Sequence, residues 1–267
     1  MKKILLSALL LLATLNLHAE IEDRFKISLG AMHVINFETE MQIAPKGVPV
    51  GVRINTQDQL KMQNDTNVFR LDGYYRFDNV HSIDFSYFSI NSEGRTTDSI
   101  EWDGNVSISG DIKSYFNMDV YKVNYVYSFY HNDKVELALT AGLHITAVEL
   151  GIYAYGTIDG EEDSSYRSDT SVTVPLPVFG FKGNYRVNKH LFVDYRADYF
   201  YLSFDGYKGA LVTTALSTEY RFADNFGLGI GYNVNTIRVE ADGDNARADV
   251  TNVLSGIMIY LSYIVGK

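Results

Sequence analysis

Apolar and polar residues alternate with a period of two along most of the chain. In the stretch FRLDGYYRF, residues 69–77, the odd positions are mostly apolar or aromatic, and the even positions include Arg70, Asp72 and Arg76. The stretches 191–201 and 226–234 also alternate with a period of two, with the apolar residues at odd positions in the first and at even positions in the second. This alternation predicts β-strands with one apolar face and one polar face.

The pattern predicts ten strands, with eight or twelve as alternatives, and almost no helix. The ten strands cover approximately residues 24–37, 66–78, 81–93, 106–130, 134–156, 170–187, 191–204, 209–222, 226–240 and 249–265. In two of them the apolar residues change parity, first between positions 120 and 123 and then between positions 178 and 179. A β-bulge shifts parity in this way, so we expect one bulge in each strand. Pro175 and Pro177 precede the second change, and proline is tolerated at bulges.

The predicted connections alternate between short and long. Those near residues 79, 132, 189 and 224 have two to four residues, whereas 38–65, 94–105, 157–169 and 241–248 are long and polar. A membrane β-barrel sorts its turns in this way, with short periplasmic turns and long extracellular loops. A soluble sandwich or barrel is the alternative, but its core would have to satisfy many buried Tyr hydroxyls.

The first residues have the features of an export signal. The chain begins MKKILLSALLLLATLNLHAE, with Lys2 and Lys3 before an apolar run that ends near Ala19. A positive start followed by a run of this length predicts a Sec signal peptide, residues 1–19, that is cleaved after Ala19. Residues 20–267 are then predicted to form a single barrel domain.

The composition excludes several classes of partner and chemistry. The chain has no Cys, so disulfides and thiolate metal sites are excluded. Removal of the two lysines with the signal peptide takes the formal charge from −10 to −12. An excess of acid argues against nucleic acid as a partner, because phosphate binding needs clustered Lys and Arg.

Aromatic residues recur beside the tight turns. The phrases YYRFDNVHSIDFSYF, NYRVNKHLFVDYRADYF and EYRFADNFGLGIGYNV begin at residues 74, 184 and 219. Such rings favour a lipid–water boundary, where the body of the ring is apolar and its tip is wet. We therefore predict an aromatic girdle at the periplasmic boundary, formed by Tyr75, Phe77, Tyr127, Phe129, Tyr185, Tyr220 and Phe222.

Together with the signal peptide and the last strand GIMIYLSYIVGK, these phrases resemble the small outer-membrane β-barrel domain family of Gram-negative bacteria, which includes OmpA- and OmpW-type barrels. The resemblance covers nearly all of residues 20–267 and implies a closed antiparallel transmembrane β-barrel in the outer membrane. It also implies contact with outer-membrane lipid and lipopolysaccharide, and with the barrel assembly machinery during biogenesis. The chain departs from the family in its last residue, Lys267, where such barrels commonly end on an aromatic residue. The nearest candidate for that signal is Tyr263.

The polar faces of the strands predict a charged lumen. We expect neighbouring strands to pair Arg70 or Arg76 with Asp84, and Arg186 with Asp194 or Asp198. A lumen closed by salt bridges and a narrow pore for small solutes both fit these residues, because a barrel of ten strands lies close to the size that side chains fill. The predicted lumen network consists of Lys26, Arg70, Asp72, Arg76, Asp84, Lys122, Glu136, Lys182, Arg186, Asp194, Arg196, Asp198, Glu219 and Arg221.

The sequence predicts no enzyme, cofactor or metal. His33 and His144 are the only histidines near the predicted outer rim, and no nucleophile accompanies them at a useful spacing. The acidic stretch 159–169 lacks the regular spacing of a calcium loop. The first function that we predict is therefore structural or porin-like. The alternative is a surface adhesin or ligand-binding protein that acts through loops 38–65 and 157–169, and a lipid-modifying or proteolytic enzyme is the least favoured.

Overall fold

Twelve β-strands account for nearly all of the described chain. The computed structural model describes residues 23–45, 52–55, 57–58, 60–61, 67–97, 99–102, 106–204, 207–242 and 246–266. The predicted signal peptide lies outside these residues. The strands are β1 Phe25–Pro45, β2 Val52–Asn55, β3 Asn67–Arg76, β4 His81–Thr96, β5 Ile100–Trp102, β6 Val106–His131, β7 Val135–Ile158, β8 Glu161–Arg186, β9 Leu191–Phe204, β10 Tyr207–Ala223, β11 Phe226–Asp242 and β12 Ala246–Val265.

Ten of these strands form a closed antiparallel ring. The ring follows the order β1, β3, β4, β6, β7, β8, β9, β10, β11 and β12, and it closes where Phe25 of β1 pairs with Val265 of β12. The short strands β2 and β5 add to the margins of β1 and β6. The prediction of a ten-stranded closed barrel is therefore confirmed. The described part of the chain contains no helix that is long and apolar enough to span a membrane.

Three short turns at one end of the barrel share one hydrogen-bonding pattern. The Oδ1 atom of Asp78 accepts hydrogen bonds from the backbone N–H groups of Val80 and His81, both at 2.8 Å. Asn132 and Asn188 accept the equivalent pairs of N–H groups in the next two turns. Asp and Asn side chains stabilise tight turns in this way. The Asp and Asn residues therefore mark the short-turn end of the barrel in the sequence. We call this end the periplasmic end.

The opposite, extracellular end contains more strand than the sequence predicts. The predicted long loop 157–169 is wrong, because β7 continues to Ile158 and β8 begins at Glu161. Asp159 and Gly160 alone form the turn, with φ values of 50° and 87°. The pair Asp-Gly favours such a tight hairpin turn, since it tolerates positive φ at both positions.

The predicted loop 38–65 is also partly strand. β1 extends to Pro45, and β2 pairs with it from Glu40↔Asn55 to Ile43↔Val52. β2 therefore lies antiparallel against β1 at the extracellular end, with residues 52–55 paired to residues 40–43. Leu60 then turns inward and is fully buried.

A band of exposed apolar residues surrounds the periplasmic half of the barrel. It includes Leu29, Phe69, Leu139, Leu143, Phe179, Leu216, Leu228, Ile230, Ile259 and Leu261. Above it most outward positions are polar, such as Asp119 on β6 and Glu149 on β7, with Tyr153 and Tyr155 exposed among them. β7 continues from Glu149 to Ile158, which at the usual strand rise and tilt projects the sheet about 25 Å beyond the band.

The two predicted bulges were wrong. The pairing of β6 with β4 and β7 is regular from Ile112 to Ser128, and β8 is regular around Pro175 and Pro177. In these parts of β6 and β8 the even positions face inward on both sides of the expected change. The inward residues change from apolar to charged, while the parity of the inner face stays the same. The lumen is charged toward the periplasmic end and apolar toward the extracellular end. Register shifts occur elsewhere, between Val34 and Asn36, Ser128 and Tyr130, Gly156 and Ile158, and Arg221 and Ala223.

The wall of the barrel divides above the apolar band. The pairing of β8 with β9 ends at Phe179↔Tyr199, and that of β3 with β4 ends at Arg70↔Phe88. Beyond these points, among the described residues, β4, β6, β7 and β8 pair only with one another and with β5, and β9 to β12 pair with one another and with β1. We call the first group, with its free edge on β8, the β4–β8 lobe.

Candidate functional site

The inner face at the periplasmic end is built around Glu136. Both carboxylate oxygens of this fully buried residue accept hydrogen bonds from the Arg76 guanidinium at 2.8 Å. The side chains of Ser128 and Asn184 donate further hydrogen bonds, the latter at 2.8 Å. His131 Nδ1 lies 3.7 Å from the same carboxylate. A two-bond Arg–carboxylate contact fixes the geometry of both partners, so this cluster ties β3, β6, β7 and β8 together.

A second cluster lies on the opposite wall at the same end. Lys26 Nζ is 2.5 Å from Glu219, and Arg221 is 3.0 Å from Glu219 and 2.5 Å from Asp23. The guanidinium of Arg221 also stacks over the Phe192 ring, 3.7 Å from its centroid. These contacts hold the start of the described chain against β9 and β10.

Farther up, two aspartates each gather several donors. Asp84 accepts hydrogen bonds from Arg196 and from Lys182, the latter at 3.0 Å. Asp198 contacts Lys122 at 2.6 Å. Asn124 and Thr140 each donate a further hydrogen bond to Asp198 at 3.2 Å. The contacts of Asp84 and Asp198 cross the lumen between strands that are not neighbours, and they place a charged layer across it.

The predicted pairs differ from those observed. Asp84 binds Lys182 and Arg196 rather than Arg70 or Arg76, because those partners approach it across the lumen. Arg70 pairs with Asp72 on its own strand, at 2.7 Å. Arg186 is half-buried near the periplasmic end, and among the described residues it forms no salt bridge with Asp194 or Asp198. The structure thus places all fourteen predicted residues at inward positions, while the pairs at Asp84 and at Arg186 were wrong.

A small cavity lies within the charged layer. Its volume is about 120 Å³, which is large enough for several water molecules. Its charged lining has more basic than acidic groups, although several of these cations also form salt bridges with Asp84 and Asp198. The charged lining residues are Lys26, Arg70, Lys122, Lys182, Arg196, Asp72 and Asp194.

The extracellular half of the lumen is filled by an apolar cluster. We call it the upper apolar cluster, and Leu60, from the segment between β2 and β3, is one of its fully buried members. Phe37 and Phe116 pack edge to face within it, with ring centroids 5.2 Å apart. Its buried members are Met32, Val34, Phe37, Leu60, Val68, Phe88, Ile90, Ile108, Ile112, Phe116, Met118, Val120, Leu150, Ile152, Ala154 and Leu254.

A smaller apolar cluster lies between β8 and the strands that follow it, and its core is Leu176, Val178, Phe200 and Leu211. We call it the β8–β10 cluster. The interior position of both clusters was not predicted from the sequence. The signal that could have found them is parity within each strand: Leu176 and Val178 share the even parity of Lys182 on β8, and Leu211 shares the odd parity of Glu219 on β10.

The seven predicted girdle residues all lie on the outer wall and are exposed. Tyr75 and Phe77 contact each other edge to face, with centroids 5.2 Å apart. Phe222 stacks on Phe226 at 6.4 Å. These rings lie next to the short turns, at the lower margin of the apolar band.

The histidines do not converge. His33 contacts Asn67 at 3.1 Å, and His190 contacts the carbonyl of Arg221 at 2.9 Å. His144 is buried on β7, where Lys122 and Leu176 lie opposite it on the two neighbouring strands. Within the described residues, no three His, Asp or Glu side chains are placed to hold a metal ion.

Comparison with solved structures identifies outer-membrane barrels. The outer membrane protease OmpT from Escherichia coli is 11% identical to this chain, with a TM-score of 0.59 and coverage of 95% of this chain and 99% of that one. OprG from Pseudomonas aeruginosa is 12% identical, with a TM-score of 0.39 and coverage of 94% and 100%. Ail from Yersinia pestis, solved with a heparin analogue, is 11% identical, with a TM-score of 0.30 and coverage of 89% and 99%.

Protein-family models and curated protein sequences gave no match. At these identities the structural likeness concerns the fold, and OmpT is the neighbour of the three whose TM-score supports it. The closed ring, the outward apolar band and this likeness agree with the resemblance seen in the sequence. The chain is a transmembrane β-barrel of the kind found in the Gram-negative outer membrane.

Proposed function

We propose that this protein is a non-conducting outer-membrane barrel that holds a binding surface outside the cell. The observation that carries the proposal is the filling of the lumen at two levels. Side chains cross it as ion pairs in the periplasmic half, and the upper apolar cluster, which includes Leu60, packs above them. A solute would have to separate buried ion pairs and then open an apolar core, and each of these steps costs several kcal/mol.

The extracellular strand extensions support the second half of the proposal. About ten residues of β7, and a comparable length of β8, continue beyond the apolar band as one hairpin. A closed barrel needs only about ten residues per strand to span the membrane. The additional strand therefore serves the aqueous side, where regular sheet holds side chains more rigidly than an irregular loop does.

The test is single-channel conductance of residues 20–267 refolded into planar bilayers. We expect no discrete steps. Steps whose size or ion selectivity changes in Arg196→Ala would refute the proposal, because Arg196 lies in the charged layer and lines the cavity. Arg95→Ala is the matched control, since Arg95 forms an exposed pair with Asp111 on the outer surface.

A narrow pore is the second candidate, and the cavity in the charged layer favours it. In that case the basic lining would make the pore selective for anions. Leu60→Ala would then raise the open probability, because the buried Leu60 side chain helps to fill the upper apolar cluster that closes the lumen. Unchanged opening in Leu60→Ala would contradict this candidate.

A further inference from the structure

The free edge of β8 is the feature from which we draw a further inference. Above Phe179, the described residues pair with β8 only on the β7 side. The next strand in the ring, β9, ends at Phe204, and only residues 205 and 206 connect it to β10. A link of this length is too short to lie along the edge. The edge therefore runs for most of the length from Glu161 to Val178.

Hydrogen bonds at the base of β8 show which backbone groups face this edge. The N–H of Arg186 donates to Lys134 on the β7 side at 2.7 Å, and that of Val187 donates to Leu191 on the β9 side at 2.9 Å. Successive residues of a strand point their N–H groups to opposite sides, and β8 has no register shift between these residues and Ser164. The odd-numbered residues of β8 therefore face the β9 side.

Pro175 and Pro177 occupy two successive odd positions immediately above the last β8–β9 pair. Proline has no N–H, so neither residue can donate to β9, and the ladder ends below them. At this height an N–H that faces lipid without a partner would cost several kcal/mol. The two prolines thus remove the donors where the edge borders the apolar band, and they leave the pairing with β7 intact.

The aqueous part of the edge has no such protection. Residues 164–174 read SSYRSDTSVTV, with no proline and no lysine. Natural edge strands commonly use one of these residues, or a bulge, to prevent pairing with another chain. Arg167 and Asp169 are the only charges in this stretch, and they pair with each other at 3.5 Å on the outer face. The N–H and C=O groups of residues 165, 167, 169, 171 and 173 are thus directed toward an open side.

The surroundings of the edge indicate which chain would pair with it. On the inner side, the β8–β10 cluster ends at Val174 and Ile237, and Leu202 of β9 is 55% exposed although its parity directs it inward. An added strand would therefore bury apolar side chains on its inner face and leave polar ones outside. At the tip, Glu161 and Glu162 are exposed, and the chain has an excess of acid. That charge favours a basic partner and disfavours a second copy of this chain.

We propose that the β8 edge of the β4–β8 lobe binds an extended, basic peptide segment of a partner protein by strand addition. The inference rests on the proposed function and gives the extracellular surface its mode of recognition. The added strand runs antiparallel to β8 and continues the direction of β9, so its carboxyl end meets Glu161 and Glu162. Main-chain hydrogen bonds supply the affinity, and alternate side chains supply the selectivity.

The probe is a fluorescent peptide of five Thr-Val repeats followed by two lysines, with both ends blocked. On β8 the hydrogen-bonded positions carry outward side chains, so the Thr residues of a bound peptide donate to β8 while the Val residues face the cluster. N-methylation of the Thr residues is therefore expected to abolish binding. N-methylation of the Val residues, whose N–H groups face away from β8, is the matched control and is expected to spare it.

The experiment measures anisotropy of this peptide with the refolded barrel in nanodiscs. Ser171→Pro removes one donor from the free edge and is expected to weaken binding up to about tenfold, since one backbone hydrogen bond contributes up to about that factor. Ser171→Ala keeps the N–H and should bind as the wild type does. The double change Glu161→Gln and Glu162→Gln should remove the dependence of binding on salt.

Three results would overturn the inference. The first is that Ser171→Pro and Ser171→Ala bind the peptide equally well, and the second is that the Thr-methylated peptide binds as well as the unmethylated one. The third is that the wild type is a dimer that Ser171→Pro converts to monomer, which would assign the edge to a second copy. If the bilayers show no conductance and any of these three results is obtained, the proposed closed barrel is retained and only the strand addition is rejected. Conducting bilayers reject the proposed function, whatever the peptide does.

Discussion

Loss of the carboxylate of Glu136 should strongly destabilise the barrel. Glu136→Gln keeps the volume of the side chain but leaves the charge of Arg76 buried, with one neutral oxygen in place of two charged ones. Arg76 itself is almost fully buried, so water cannot replace the lost partner. Removal of one member of a buried ion pair typically costs about 3–5 kcal/mol. That range raises the unfolding equilibrium constant by roughly two to three and a half powers of ten.

The assay is urea unfolding in lipid vesicles, followed by intrinsic Tyr and Trp fluorescence. The double variant Arg76→Leu with Glu136→Leu removes both charges and should recover most of the loss, because apolar replacement of a buried pair is often neutral. Arg95→Ala breaks an exposed pair and should cost at most about 1 kcal/mol. The reasoning is refuted if Glu136→Gln unfolds within about 1 kcal/mol of the wild type, or if the double variant is less stable than the single one.

The upper apolar cluster, the Asp78 turn and the two prolines of β8 should each respond to substitution. Leu60→Ala should lower the free energy of local opening around the upper apolar cluster by about 2–5 kcal/mol. Hydrogen exchange of the surrounding backbone N–H groups should then become faster, whereas Lys61→Ala, at an exposed position, should leave it unchanged. The N–H groups of Val80 and His81 hold the pKa of Asp78 below its usual value. Its stabilising effect is therefore present above the unfolded pKa of about 3.9 and is lost as pH falls through the folded value, so Asp78→Asn should lose less stability on acidification, and parallel pH curves would contradict this. Pro175→Ala with Pro177→Ala should restore donors toward β9 and raise the exchange protection of Tyr201 and Ser203, and unchanged protection would show that the prolines do not end the ladder.

The strands and the class of fold could be predicted from the sequence because both are local properties. A period of two indicates a sheet with one apolar and one polar face. The short turns contain Asp or Asn side chains that accept hydrogen bonds from the backbone of the turn. Inward parity also identified the charged residues, since a charge on the lipid face would be costly. The strand ends were underestimated, because beyond the apolar band both faces meet water or loops and the alternation of hydrophobicity fades. The Asp159-Gly160 turn was the local signal that remained there.

The partners across the lumen were decided only by the tertiary structure. Arg76 and Glu136 lie 60 residues apart, and Lys182 and Asp84 lie 98 apart, on strands that are not neighbours in the ring. Which side chains meet depends on the curvature and stagger of the closed sheet, and a one-dimensional pattern does not contain either quantity. The same holds for the apolar half of the lumen. Ile112 and Leu139 are both hydrophobic in the sequence. Only closure of the ring places Ile112 in the core and exposes Leu139 to lipid.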